Sequence, residues 1–174
     1  YNDVLLGIYD STVQGDESGY YATLQGKFAL AKSRNGKYGY LFEVQEKLCS
    51  ILKDKFCLGL QLREAYQRGD RDRLKELLPV LKDLPNKVHE FYLALKGIWE
   101  KENKAFGLEI QQHRLGGLKL RLFECAQKLE EYLQGNIEQI EELEQELLDV
   151  LGGGKDFGRR KSLPGQYIEG RQFS

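Results

Sequence analysis

The sequence predicts an all-α protein: an antiparallel helical bundle of about four to six helices, followed by a flexible C-terminal tail. Three observations support this fold class. Apolar residues recur at the three- and four-residue spacing of one helix face in most segments, and no segment is a convincing strand. Only three prolines occur in 174 residues. The segments between the helical patterns are short, which favours antiparallel neighbours.

The first third of the chain predicts a connector and two helices. Residues 1–16 contain apolar residues without a clear period and are predicted to form the connector. Residues 17–33 predict a helix, although two glycines weaken its pattern. Residues 33–36 predict a turn. Apolar residues at helical spacing then predict one long helix over residues 38–68.

The middle of the chain predicts two helices separated by prolines. Asp70 is a suitable N-cap for a helix over residues 71–83. Pro79 is expected to bend or end that helix, since proline removes a backbone donor. Pro85 is expected near the start of the next helix, where a missing N–H costs nothing. Residues 86–105 show the most regular apolar stripe in the sequence.

Two more helices are predicted after an interruption. Residues 106–117 interrupt the helical pattern, and the glycine pair at their end is typical of a tight interhelical turn with positive φ. Residues 118–134 resume the pattern, and Gly135 is expected to end it. Asn136 then opens a capping-box pattern and a helix with apolar residues as far as Leu151.

Charge and hydropathy argue against nucleic-acid and membrane partners. The chain has 26 basic and 27 acidic residues, a net charge of −1, which gives no overall attraction to nucleic acid or an acidic membrane. No apolar run approaches the roughly 18 residues of a membrane span. Residues 136–149 contain six acids and no base. That acidic helix is either a solvated face or a surface for a basic partner.

The sequence offers no convincing catalytic, cofactor or metal site. His89 and His113 are the only histidines, too few for a typical metal site without converging ligands. No glycine-rich phosphate loop follows a strand. Asp16 and Glu17 are adjacent acids, interpreted as a solvated loop or a helix N-terminus. An odd number of cysteines predicts free thiols, at Cys49, Cys57 and Cys125.

The most distinctive stretch is residues 99–117, which combines the only Trp, a charged cluster and paired glycines between two apolar helices. It is either a helix C-terminus with its turn or a docking surface against another domain. Trp and Arg are typical anchors of such surfaces. The candidate docking residues are Trp99, Asn103, Lys104, Phe106, Gly107, Arg114, Gly116 and Gly117.

Several ordered motifs carry a family resemblance over roughly residues 1–150. They are Asp3-Val-Leu-Leu-Gly-Ile-Tyr-Asp10, Tyr40-Leu-Phe-Glu-Val-Gln-Glu-Lys-Leu-Cys49, Leu62-Arg-Glu-Ala-Tyr66, Trp99-Glu-Lys-Glu-Asn-Lys-Ala-Phe-Gly107, Arg114-Leu-Gly-Gly117, Leu129-Glu-Glu-Tyr-Leu-Gln-Gly135 and Ile140-Glu-Glu-Leu-Glu144. Together they resemble the helical C-terminal domain of bacterial family 20 glycoside hydrolases. More narrowly, they resemble the β-N-acetylhexosaminidases that act as exo-β-N-acetylglucosaminidases.

The resemblance implies a longer parent enzyme with an α/β N-terminal domain, a (β/α)₈ catalytic barrel and this helical domain. In that family an Asp-Glu pair within a His-x-Gly-Gly-Asp-Glu motif of the barrel serves substrate-assisted catalysis. Asp16 and Glu17 do not match it, because Thr12-Val-Gln-Gly15 precedes them. No catalytic residue is therefore assigned to this chain, and a chain of this length cannot contain the barrel.

These considerations predict three regions: a connector from an upstream catalytic domain (1–16), the helical bundle (17–151) and a flexible basic tail (152–174). The chain lacks methionine, and we expect it to be part of a longer polypeptide. The expected function is a non-catalytic domain, inactive alone, whose partner is the barrel of the same chain. A homodimer and a bacterial, cytoplasmic location are further expectations. The alternative is a free-standing helical interaction module that binds through the acidic helix.

Overall fold

The computed structural model describes residues 3–10, 13 and 15–146. Within this part of the chain lie six α-helices, with a 3₁₀ turn (Gly36–Tyr38) between the first two and no strand. The all-α fold class is thus confirmed. The helices are α1 (Ser18–Arg34), α2 (Gly39–Lys55), α3 (Leu58–Gln67), α4 (Arg71–Glu102), α5 (Leu108–Gln134) and α6 (Glu141–Glu144).

Helix α4 is the centre of the bundle, since α2, α3 and α5 all pack against it. Its buried face carries leucines at helical spacing, including Leu74, Leu77, Leu81 and Leu84. Helix α1 packs mainly on α2 and has no buried residue of its own. The core therefore lies between α3, α4 and α5, with α2 at its edge and α1 outside it.

The prediction that prolines divide the middle of the chain was wrong, because α4 runs unbroken through Pro79 and Pro85. Each proline removes one backbone hydrogen bond and costs about 3 kcal/mol in a helix interior. Burial of the leucine face on three neighbouring helices offsets this cost. The predicted N-cap is confirmed: the Asp70 side chain accepts a hydrogen bond from the backbone N–H of Arg73 at 2.9 Å.

The single helix predicted over residues 38–68 was also wrong, because the chain turns at Phe56 and Cys57 between α2 and α3. The connector packs at this break. A Cβ on Gly59 would lie 3.2 Å from the carbonyl oxygen of Val4, so glycine lets the connector approach α3 closely. The break, which the local pattern does not show, thus coincides with a long-range contact of the connector.

Residues 106–117 were predicted to interrupt the helices, but α5 begins at Leu108. Gly116 and Gly117 lie inside α5, so the tight turn predicted for them was wrong. A glycine in a helix interior costs about 1 kcal/mol relative to alanine. Burial of Leu115 and Leu122, which flank the two glycines on the side facing α4, offsets this cost and stabilises the helix. The predicted end at Gly135 is confirmed as the C-cap.

The helix predicted to start at Asn136 was wrong as well. In the described part of this segment only Glu141–Glu144 is helical, and residues 147–151 lie outside the described residues. Ile140 and Leu143 are fully buried, so the segment contributes to the core despite its irregular backbone. The predicted tail over 152–174 also falls outside the described residues.

Candidate functional site

The connector is part of the core of the bundle. Val4 and Leu5 are 3% and 0% exposed, and both belong to the main apolar cluster. The carboxylate of Asp3 accepts hydrogen bonds from the backbone N–H groups of Leu5 and Leu6, each at 2.9 Å, which shapes the first turn of the chain. Anything joined to this connector is therefore coupled to the bundle by buried contacts.

A buried arginine joins the connector to the segment around α6. The Arg63 guanidinium donates to the carbonyl oxygen of Leu5 at 2.6 Å and to that of Leu143 at 3.1 Å. Longer contacts reach the carbonyl oxygens of Leu6, Glu142 and Gln145. Arg63 lies on α3 and binds the backbone carbonyl oxygens of both segments. It thereby links two segments that are nearly 140 residues apart in the sequence.

A second arginine reinforces the same junction from α5. Nε of Arg121 lies 2.6 Å from Oδ2 of Asp3, and Nη2 lies 3.4 Å from Oε1 of Glu142, which also pairs with Lys128 at 2.5 Å. Burial raises the pKa of Asp3, but the hydrogen bonds from Arg121 and from the backbone of Leu6 and Leu5 outweigh it and hold that pKa below its usual value.

The α4–α5 turn exposes three of the predicted docking residues, Asn103, Lys104 and Phe106. Nε1 of Trp99 donates to the carbonyl oxygen of Lys104 at 2.9 Å, and Gly107 has a φ of +95°. A Cβ there would lie 3.0 Å from Cζ2 of Trp99. Trp99 thus holds the turn, while Asn103 is exposed and Phe106 is 86% exposed.

The remaining predicted docking residues lie on α5, where Arg114 is exposed and the two glycines open different clefts. Gly116 lines a cleft of about 190 Å³ with His89 and Tyr92 of α4. Gly117 lines a cleft of about 240 Å³ beside the connector, together with Arg114. At a rise of 1.5 Å per residue, Gly116 and Gly117 lie roughly 15 Å along the helix axis from the turn. The structure therefore separates the eight candidates into a turn group and an α5 group.

Sequence reasoning missed three exposed apolar residues on α5. Ile110 and Leu120 are 50% and 68% exposed, and Phe123 is also more than half exposed. At 3.6 residues per turn, Leu120 lies nearly opposite the buried Leu122 on the helix, so its spacing already separates it from the buried face. Their exposure depends on which side of α5 faces α4.

The structure also shows where the acidic pair and the three thiols considered above lie. No three His, Cys, Asp or Glu side chains among them converge to hold a metal ion. Asp16 accepts a hydrogen bond from the backbone N–H of Ser18 at the start of α1, the helix N-terminus considered above. A groove of about 390 Å³ between α2, α5 and the connector is lined mostly by apolar residues. Lys55 also lines this groove, and burial lowers the pKa of its ammonium group. The cysteines are free and buried, as predicted for Cys49, Cys57 and Cys125.

Two acids of the predicted acidic helix, interpreted above as either a solvated face or a surface for a basic partner, have partners within the bundle. Glu142 pairs with Arg121 and Lys128, and Glu144 accepts a hydrogen bond from the Tyr66 hydroxyl at 2.5 Å. Glu142 is half-buried among these partners, whereas Glu144 is exposed. No helix in the described part of the chain combines the length and apolar character needed to cross a membrane.

Comparison with known proteins agrees with this architecture. The family model described as the Glycoside Hydrolase 20C C-terminal domain matches residues 1–160, which is most of the chain. No curated protein matches the chain. Because the match runs from the connector through the whole described bundle, the chain belongs to the family of glycoside hydrolase 20C C-terminal domains.

Proposed function

We propose that this chain is the non-catalytic helical C-terminal domain of a β-N-acetylhexosaminidase, and that it packs on the catalytic barrel of the same parent chain and stabilises it. In this proposal the barrel hydrolyses terminal β-linked N-acetylhexosamine by substrate-assisted catalysis. The family match supports the domain type. In this proposal the catalytic residues lie on the barrel and not on the helical domain.

The observation that carries the stabilising role is the burial of the connector. Leu5 is fully buried and its carbonyl oxygen is held by Arg63, while Asp3 is held by Arg121. A flexible linker would leave two domains free to move independently, which is the default between domains. Here the connector is part of the bundle core. As long as the bundle is folded, the segment that joins the barrel is therefore held in one position.

The test is the thermal inactivation of the full-length parent, measured by hydrolysis of a chromogenic N-acetylglucosaminide. Arg63→Met should lower the inactivation temperature by several degrees while leaving kcat at low temperature unchanged. Arg68→Met is the matched control, since Arg68 is the C-cap of the same helix but is exposed, and among the described residues its side chain pairs only with Glu64 one turn away. An unchanged inactivation temperature for Arg63→Met would refute the stabilising role. A parent without hydrolase activity would refute the assigned reaction.

A further inference from the structure

Helix α5 presents an exposed strip made of Ile110, Arg114, Gly117 and Leu120. The residues are spaced by four, three and three positions, so their side chains are neighbours on the helix surface. The two aliphatic side chains are half or more exposed. The Arg114 guanidinium is exposed and forms no ion pair with any residue in the described part of the chain. We call this set the α5 strip.

Gly117 opens a gap in the α5 strip that the bundle itself does not use. A Cβ at this position would meet no atom within 4 Å, so alanine would fit. Alanine would also favour the helix by about 1 kcal/mol. The missing side chain instead leaves the cleft of about 240 Å³ between α5 and the connector residues Asp3 and Val4. A gap of this kind suits close approach by another backbone or side chain.

The connector crosses α5 next to the α5 strip. The carboxylate of Asp3 is held on Arg121, which is one position after Leu120, and Asp3 also lines the cleft at Gly117. Any polypeptide that precedes Asp3 therefore leaves the bundle beside this strip. The turn at Phe106 lies roughly 15 Å further along the helix axis, and α1 packs on the far side of α2.

We propose that the α5 strip is the surface on which the catalytic barrel of the parent chain docks. Apolar barrel residues cover Ile110 and Leu120, barrel atoms fill the cleft at Gly117, and a barrel carboxylate pairs with Arg114. A guanidinium enclosed in an interface needs such a partner, because an unpaired buried charge is costly. This surface rests on the proposed function and narrows its docking site to one face of one helix.

Site-specific thiol labelling of the full-length parent tests the surface. Leu120→Cys is compared with Leu30→Cys on α1, which is 49% exposed here, and the labelled peptides are quantified by mass spectrometry. The three native thiols are buried and give little background. Docking predicts labelling of the Leu120→Cys thiol at least tenfold slower than that of the Leu30→Cys thiol. Equal rates would overturn the docking surface.

Light scattering of the same samples distinguishes the barrel from a second copy. Protection that persists when the parent is monomeric supports docking within the chain. Protection that disappears as a dimer dissociates on dilution would overturn the proposal in favour of a homodimer. Activity on a chromogenic N-acetylglucosaminide is measured separately: an active parent with equal labelling overturns only the surface, whereas an inactive parent overturns the proposed function.

A glycine pair provides a second readout that does not depend on labelling. Gly117→Gln places a side chain in the cleft, and Gly26→Gln is the matched control, because Gly26 lies inside α1 and also has no atom within 4 Å of a Cβ. The melting temperature of the parent should fall by several degrees for Gly117→Gln and not for Gly26→Gln. Equal changes for both variants would overturn the proposal.

Discussion

Replacing Arg63 with methionine removes the link between the connector and the α6 segment while keeping a side chain of similar length. Two carbonyl oxygens, those of Leu5 and Leu143, then lose a charged donor in a buried setting. The three longer contacts at 3.3 to 3.4 Å are lost with them. Arg63→Met therefore leaves buried backbone acceptors unsatisfied, and the bundle should become less stable.

The size of the effect follows from these two acceptors. An unsatisfied buried polar group costs about 1–3 kcal/mol, so two of them predict a loss of about 2–6 kcal/mol in the free energy of unfolding. Removing the buried guanidinium, which is 5% exposed, recovers part of this, because its desolvation cost disappears. With a loss of about 3 kcal/mol, the melting temperature of a chain this size should fall by about 6–12 °C.

Urea unfolding of the 174-residue chain, followed by circular dichroism and by the fluorescence of its single tryptophan, measures this loss. Arg68→Met, at the exposed C-cap of α3, should change the unfolding free energy by less than about 0.5 kcal/mol. Arg63→Lys keeps the charge but lacks the planar fork, so an intermediate loss is expected. Stability of Arg63→Met equal to or above that of the native chain would refute the reasoning, since desolvation would then outweigh the carbonyl bonds.

Three further outcomes are expected. Gly107→Ala should cost about 1–2 kcal/mol, because φ is +95° and the new Cβ would lie 3.0 Å from the Trp99 ring; Gly19→Ala, in open space on α1, should stabilise instead, and urea unfolding separates the two. The pair of Asp3 with Arg121 contributes stability that is present above the unfolded pKa of about 3.8 and is lost as the pH falls through the lower folded pKa; acid titrations should show this component in the native chain and not in Asp3→Asn. Burial raises the pKa of the Cys49 and Cys57 thiols, and it raises the pKa of Cys125 to about 12. A thiol reagent at pH 8 should therefore modify these three cysteines only after urea is added. Fast labelling of the folded chain would contradict this prediction.

The sequence by itself determined the fold class and several helix boundaries. Apolar residues at helical spacing predict most of α2 and α4 and the second half of α5, since burying one face is the main stabilising term for a helix. Local signals at Asp70 and Gly135 placed a helix start and a helix end correctly, because caps depend on the chemistry of a few neighbouring residues. Motif resemblance placed the chain in its family, and the family model agrees.

Only the tertiary structure decided at which prolines and glycines a helix continues because its buried face is packed. Helix α4 continues through Pro79, since the leucines around it are buried on three sides, and α5 continues through Gly116 and Gly117. At the break before Gly59, α3 packs against the connector, which lies more than 50 residues away in the sequence. The periodic pattern also shows which residues share a face, but not which face meets a neighbour. Leu120 is therefore exposed while Leu122, two positions later, is buried, because the position of α4 selects the buried side of α5.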